Sequence, residues 1–315
     1  MRRPKFDLLQ SAAILWGQPP EQRGVARLSR KARLLARLTI VSVLVGSLAL
    51  TKIPAAPNLY INSLIREINK RVLVWYGYAR GMDALSGERF VVLFRDGQKR
   101  EAEMILAAAE GFYPALAEQF GLEIRGPVPV LLYDDRESLN KSFGWPADAD
   151  TMGVYWAGSI RVLSPDAWID PADERDYYRV FAELGPMPHE IAHLFVDHLS
   201  MGNCPRWFNE GVAQYQEYRL TGFHFGEAGR FPLDRAFSPA ELAGFDTLEN
   251  QHLAYHQSFS IVAFLVETYG WPAVVSVLKK LGRGATLEEG LNEAFEIDLI
   301  TLDGEWKRWV KHRQE

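Results

Sequence analysis

The sequence predicts an α+β domain, in which a small amino-terminal sheet precedes a helical carboxy-terminal half and an apolar membrane segment precedes both. Short runs of β-branched and aromatic residues, bounded by turn residues, occur between residues 85 and 163. From residue 188 onward, apolar residues instead suit buried helices. An order of strands first and helices afterwards is typical of this fold class.

The chain begins with a basic tail at residues 1–37, which carries a net charge of +7. An apolar segment follows at residues 38–53, with an uncharged run of 14 residues at 38–51. Positive charge ahead of an apolar segment predicts a cytoplasmic amino terminus and an exported domain. The run is shorter than the roughly 20 residues that cross a bilayer comfortably.

Three interpretations of the apolar segment therefore stay open. An uncleaved anchor gives a single-pass membrane protein whose domain is extracytoplasmic. A signal peptide, cleaved near the small residues around Ala49, gives a secreted or periplasmic protein. A buried helix of the fold is the third interpretation.

The next segments are predicted from local periodicity. Residues 54–84 indicate a linker and an amphipathic helix, which would lie on the membrane surface, brace the domain or contact a partner. We place the main domain at residues 85–315. Its first predicted elements are strands at 89–94 and 127–133, a helix at 98–120, and a hairpin at 152–163 around Gly158.

The most informative stretch is Pro-His-Glu-Ile-Ala-His-Leu at residues 188–194. Pro188 suits the first turn of a helix, so we expect a helix to begin just before His189. His189 and His193 then lie one turn apart and face one ion, with Glu190 beside it as a candidate base. A His-Glu-x-x-His on a helix is a recognised way of holding catalytic zinc. The alternative, two solvated histidines on a surface helix, is opposed by the apolar residues around the motif.

Tetrahedral zinc requires a third protein ligand and an open position. Glu210 is the candidate, because it lies in residues 205–215, whose aromatic and aliphatic positions predict a second, largely buried helix. Residues 199–205 are predicted to form the connecting loop.

These two segments resemble the gluzincins, most closely the bacterial peptidase MA-like domains related to thermolysin. The resemblance lies in Pro-His-Glu-Ile-Ala-His at 188–193 and Trp-Phe-Asn-Glu-Gly-Val-Ala-Gln-Tyr at 207–215, and it extends over residues 85–315. It implies a zincin-like metallopeptidase domain. It also implies that the zinc ligands are His189, His193 and Glu210 and that Glu190 is the catalytic base.

By the same resemblance, we expect an endopeptidase that hydrolyses peptide or protein substrates with zinc-activated water. Related enzymes stabilise the oxyanion with a Tyr or His, for which Tyr255 is the candidate and His252 and His256 are rivals. The alternative is that all three belong to an ordinary cluster at a helix start. Residues 152–163 are the candidate sheet edge for a peptide bound as an added strand, or else an ordinary buried hairpin.

The sequence departs from these relatives at Gln214. Thermolysin-like enzymes carry an acidic residue one turn after the third ligand, where it holds a ligand histidine. Gln214 occupies that position here, and an amide accepts the ring N–H with less charge. The exopeptidase signature Gly-x-Met-Glu-Asn is absent from the sequence, so an aminopeptidase is not supported.

Charge and cysteine content exclude other classes. Residues 38–315 carry a net charge of −12, which repels phosphates and argues against nucleic acid as a partner. The resemblance implies a peptide or protein substrate as partner, and the apolar segment at residues 38–53 predicts a membrane as another. Cys204 is the only cysteine, so no intramolecular disulfide forms.

A second function class competes with the peptidase. A catalytically weak or inactive peptidase-like domain would bind peptide or cell-envelope components without cutting them. Glu190 favours the enzyme, because a pure binding domain does not need a base.

Overall fold

The computed structural model describes residues 55–169, 174–224 and 226–315. The basic tail predicted at residues 1–37 and the membrane segment predicted at residues 38–53 lie outside these ranges. The strands are β1 Asp83–Ser86, β2 Phe90–Phe94, β3 Val128–Tyr133, β4 Gly153–Trp156 and β5 Ser159–Leu163. The helices are α1 Ala55–Ala79, α2 Lys99–Phe120, α3 Arg136–Lys141, α4 Glu174–Leu184, α5 Met187–Ser200, α6 Arg206–Thr221, α7 Pro239–Ala243, α8 Gln251–Tyr269, α9 Trp271–Leu281, α10 Leu287–Phe295 and α11 Leu299–Gln314.

The five strands form one mixed sheet in the order β1-β2-β3-β5-β4. The inner pairs β2-β3 and β3-β5 are parallel, and the outer pairs β1-β2 and β4-β5 are antiparallel. β4 is therefore an edge strand. Its hairpin with β5 turns through Ala157 and Gly158, both with positive φ, as predicted around Gly158.

Both faces of the sheet are covered, because every residue of β2 is buried. Phe90 and Val92 point into the main core with α2 and α5, whereas Val91 and Leu93 point to a smaller core with α1. This alternation follows from the two-residue period of a strand. The sheet is thus sandwiched between α1 and the α2-α5 layer.

The carboxy-terminal half is helical, which confirms the predicted α+β fold class. α6 packs between α5 and α8, and α9 contacts both α5 and α8. Within the described residues no single helix is long and apolar enough to span a bilayer. Two consecutive helices, Gln251–Tyr269 and Trp271–Leu281, pass the same criteria of length and composition when taken together. The chain bends by 116° at the break between them.

The local predictions for β2, α2, β3 and the β4-β5 hairpin are confirmed to within one or two residues. α1 lies within the segment at residues 54–84 that is predicted to contain a linker and an amphipathic helix, and it contacts β2, β3 and β5. Of the three roles considered for this helix, bracing the domain is the one that the contacts show. β1 was not predicted, because Asp-Ala-Leu-Ser is short and lacks β-branched residues.

The crossing of α6 and α8 requires a glycine. A Cβ on Gly211 would lie 2.4 Å from the backbone oxygen of Ser258 and 2.7 Å from Val262 Cγ2. Since a backbone oxygen in a buried helix cannot yield without moving the helix, Gly211 sets the distance between the two helices.

We expect Gly211→Ala to lower the free energy of unfolding by about 1–3 kcal/mol, because it overpacks this crossing. Gly111→Ala in α2 is the matched control, since its Cβ would meet no atom within 4 Å. That control should raise stability by about 0.5–1 kcal/mol, as alanine favours a helix over glycine. Urea unfolding followed by circular dichroism measures both, and equal effects of the two substitutions would contradict the packing argument.

Candidate metal centre

The helix that carries the motif lies inside the protein. α5 begins at Met187 with Pro188 in its first turn, as the sequence predicts. Ile191, Ala192 and Leu194 are fully buried, so the helix packs on several sides. The alternative of two solvated histidines on a surface helix is therefore wrong.

α5 and α6 bring together three potential ligands. His189 Nε2 and His193 Nε2 lie 3.0 Å apart. Glu210 Oε2 lies 3.4 Å from each of these nitrogens. The three side chains form a group of metal-ligating type whose donor atoms all lie within 4.8 Å of one another.

The other nitrogen of each imidazole is already engaged. His189 Nδ1 donates to Glu217 Oε2 at 3.0 Å, and His193 Nδ1 donates to Asn209 Oδ1 at 2.8 Å. Because both partners are oxygen acceptors, both imidazoles carry their proton on Nδ1 when neutral. Their Nε2 lone pairs then face each other and the Glu210 carboxylate. Such a convergence of acceptors is the donor set that a metal cation requires.

The residue that supports His189 is Glu217 and not Gln214. Gln214 Nε2 donates instead to the backbone oxygens of Glu210 and Tyr255, at 3.3 and 3.0 Å. The prediction that Gln214 accepts the ring N–H is therefore wrong. Glu217 lies seven residues after Glu210, which is two helical turns along the same face. That spacing is the signal in the sequence that could have identified it.

Glu190 is held at the edge of the sheet. Its Oε2 accepts a short hydrogen bond from the backbone N–H of Tyr155 in β4. The Tyr155 hydroxyl donates to Asp197 on the same helix and accepts from Gly158 N–H at 2.9 Å. The sequence does not indicate this role of Tyr155, because the contact of β4 with α5 joins residues 35 positions apart.

The charges around the site are unbalanced toward negative, since Glu190, Glu210 and Glu217 are all buried. Burial lowers the pKa of His189, but hydrogen bonds and charge from Glu210 and Glu217 outweigh it and raise that pKa well above its usual value. Burial would raise the pKa of Glu210, yet His193 and His189 hold it well below its usual range. The site therefore favours positive charge among these carboxylates.

Glu190 differs from Glu210 in its environment. Burial raises the pKa of Glu190, and the attraction of His189 and His193 offsets only part of that rise. A carboxylate with a raised pKa is a stronger proton acceptor. The two acids of the site thus differ in chemistry, one suited to staying ionised and one suited to exchanging a proton.

Tyr255 lies on the Glu210 side of the site. Its hydroxyl accepts from Arg206 Nη2 at 3.4 Å, and Arg206 Nε lies 3.4 Å from Glu210 Oε1. Burial raises the pKa of Tyr255 to about 12, so the phenol keeps its proton at neutral pH. His256 bonds instead to the backbone oxygen of Glu227.

The remaining rival for the oxyanion role is exposed. His252 lies at the start of α8 with its side chain in solvent. The structure thus places Tyr255 beside the ligand group and gives the two histidines other surroundings. Arg206 is a neighbour of the site that sequence analysis did not single out.

Gly153 in β4 leaves room for Glu190. A Cβ there would lie 2.7 Å from Pro186 Cβ and 2.9 Å from Glu190 Oε1. We expect Gly153→Ala to break the hydrogen bond from the Tyr155 amide to Glu190 and to cost about 1–3 kcal/mol in stability. Exchange of the Tyr155 amide proton with deuterium should accelerate by roughly tenfold or more, since the bond protects it. Unchanged protection of that amide would contradict this prediction, and Gly111→Ala serves as the control.

Comparison with known families places these features in a wider group. The model of the Peptidase MA superfamily matches residues 107–312, a span that includes α5, α6 and α8 and so contains every residue of the ligand group. A search of curated proteins returns no match. Because the family model covers about two thirds of the sequence, this chain belongs to the Peptidase MA superfamily.

Proposed function

We propose that this protein is a zinc-dependent endopeptidase, tethered to a membrane and acting outside the cytoplasm. Membership of the Peptidase MA superfamily supports a peptidase, and thus a hydrolase. The observation that carries the zinc proposal is the convergence of His189 Nε2, His193 Nε2 and Glu210 Oε2 on one point.

The dimensions of that group suit zinc. Donor atoms held tetrahedrally at about 2.0–2.1 Å from one ion lie about 3.4 Å from one another. The three separations here are 3.0, 3.4 and 3.4 Å. Two imidazoles and one carboxylate are also the ligand set of several catalytic zinc sites, which keep the fourth position open. The residues therefore fit the ion.

When bound, zinc supplies Lewis acidity, which makes water a nucleophile near neutral pH and polarises a carbonyl group. Glu190 would accept the proton of the attacking water and return it to the leaving nitrogen. The Tyr155 N–H holds the Glu190 carboxylate in place for both transfers. Glu217 and Asn209 keep the two imidazoles in the tautomer that presents Nε2.

Negative charge that develops on the carbonyl oxygen needs donors besides the metal. Tyr255 supplies a protonated phenol on the Glu210 side of the site. Arg206 adds a positive charge there, since its guanidinium contacts both Tyr255 and Glu210. We assign Tyr255 to oxyanion stabilisation on this basis.

The free edge of β4 is suited to holding a peptide. Leu163 N–H donates to Met152 O, so the hydrogen-bonding register of the hairpin turns the main-chain groups of Gly153 and Tyr155 away from β5. The Tyr155 N–H is already bonded to Glu190, so a peptide would use the Tyr155 carbonyl and the main-chain groups of Gly153. An extended peptide would add to this edge as a strand, alongside Glu190. An edge contact of this kind uses main-chain groups of a chain interior, which favours endopeptidase cleavage.

The proposed location follows from the amino-terminal sequence. The basic tail at residues 1–37 and the apolar segment at residues 38–53 favour a membrane anchor with the domain exported. Sequencing the mature amino terminus tests this, because cleavage would leave an end near residue 50.

We expect Glu190→Gln to retain one zinc per chain and to lower kcat/KM by a factor of about 10²–10⁴, because it removes the proton acceptor and leaves the ligands. His193→Ala and Glu210→Ala should lose both the zinc and the activity. Elemental analysis gives the metal content, and a quenched-fluorescence peptide library gives kcat/KM. Zinc retained at unchanged affinity by Glu210→Ala would remove Glu210 from the ligand set. Two results together would indicate the binding function instead. They are that the zinc-loaded wild type cuts no peptide and that Glu190→Gln binds peptide with unchanged affinity.

A second substitution tests the support of His189. We expect Glu217→Gln to weaken zinc affinity by about 10–100-fold, because a neutral amide stabilises the ligand imidazole less than a carboxylate does. Glu227→Gln changes the net charge equally at an exposed position and should leave the affinity unchanged. Competition with a chromophoric chelator measures both affinities. Equal affinities for the two variants would contradict the assignment.

A further inference from the structure

The first helix departs from the usual amphipathic arrangement, because its inner face buries two cationic side chains beside Leu73 and Val74 while its outer face exposes large apolar side chains. Arg66 and Lys70 face the protein and are only 3% and 4% exposed. On the opposite face Tyr60 is 77% exposed, Leu64 59% and Trp75 51%. A helix that packs on a soluble domain ordinarily buries its apolar face and exposes its charged one.

The exposed apolar side chains form a continuous stripe. Its members recur every three or four residues, which places them on one side of the helix. We call them the α1 stripe: Tyr60, Leu64, Ile68, Val72 and Trp75. The stripe extends from residue 60 to residue 75, a rise of about 22 Å at 1.5 Å per residue. Tyr76 and Tyr78 extend the exposed aromatic surface at its carboxy-terminal end.

The orientation of α1 is fixed by polar contacts on its inner face. Arg66 Nη1 donates to Asp197 Oδ2 of α5 at 2.9 Å. Asn69 Nδ2 donates to the backbone oxygen of Ala157 and to Ser159 Oγ, both at 2.9 Å. Turning the helix to bury the stripe would break these bonds and leave the half-buried Asp197 without its cation. The stripe therefore stays outward in the folded domain.

The sequence ahead of α1 indicates what covers the stripe. The apolar segment ends at residue 53 and Tyr60 follows seven residues later, a reach of at most about 25 Å even for an extended chain. Exposed tyrosine and tryptophan side chains favour the interface between lipid and water. Arg71 on the same helix and Arg80 directly after its end are exposed, and both suit anionic lipid headgroups.

We propose that the α1 stripe is a membrane-docking surface, lying in the plane of the bilayer interface with its apolar side chains among the lipids. This inference rests on the proposed membrane segment at residues 38–53, and it is independent of the zinc chemistry. Because α1 also bonds to the β4-β5 hairpin and to α5, docking holds the candidate site at a fixed orientation to the bilayer.

The test uses the full chain reconstituted in vesicles of phosphatidylcholine and phosphatidylglycerol. Leu64→Cys and Val72→Cys, in a Cys204→Ser background, carry an environment-sensitive fluorophore. The matched control is Ile300→Cys, because Ile300 is an equally apolar residue that is 81% exposed on α11, away from the stripe. We expect quenching by doxyl-labelled lipid to be about fivefold stronger at the stripe than at residue 300, and quenching by aqueous iodide to be correspondingly weaker.

A second measurement needs no cysteine. The emission of Trp75 is the difference in tryptophan fluorescence between the wild type and Trp75→Phe in the same vesicles. We expect brominated lipid to quench this emission. This readout keeps the proposal testable if the labelled variants fold poorly.

Three outcomes would overturn the proposal. The first is iodide quenching at residue 64 as strong as at residue 300, which means that the stripe faces water. The second is disulfide formation between Leu64→Cys copies without lipid quenching, which assigns the stripe to a second copy of this chain. The third is failure of the full chain to float with the vesicles, which removes the membrane segment as well. Zinc content and peptide cleavage, measured on the same protein, show separately whether the peptidase proposal survives.

Discussion

The hydrogen bonds that tie both imidazoles of α5 to α6 control the arrangement of the candidate centre. Because each Nδ1 proton is directed to an oxygen on α6, the two Nε2 lone pairs point inward at Glu210. Three acceptors packed together in a region of low dielectric repel one another unless positive charge lies between them. The packing of α5 against α6 thus makes the binding of a cation favourable, and the negative charge of the neighbouring Glu217 makes it more so.

This preference for a cation depends on the close packing of α6 in the core. Gly211 allows α6 to approach α8 within a distance that a side chain would prevent, and Glu210 is its direct neighbour in sequence. The position of the carboxylate therefore follows from a contact on an adjoining face of the same helix, about 100° away around its axis. Burial of the Glu210 side chain also restricts its rotamers, so the carboxylate is held in place before any ion binds.

The sequence predicted the features that depend on local spacing. His189, Glu190 and His193 lie within two turns of one helix, so the helical period alone relates them. The helical period places Glu217 on the same face as Glu210, but the histidine that it contacts depends on how α6 crosses α5, which the period does not encode. The α1 helix shows a third case: an amphipathic pattern identifies the helix, but its orientation depends on tertiary contacts of Arg66 and Asn69 that the pattern does not encode.

Tyr155 bonds to α5 at two points, through its backbone N–H to Glu190 and through its phenol to Asp197. These acceptors lie seven residues apart, which is about 10 Å along the helix axis. Two attachment points so far apart oppose both sliding and pivoting between the strand and the helix. Any displacement of the edge strand relative to the carboxylate consequently has to stretch or break at least one of these two hydrogen bonds.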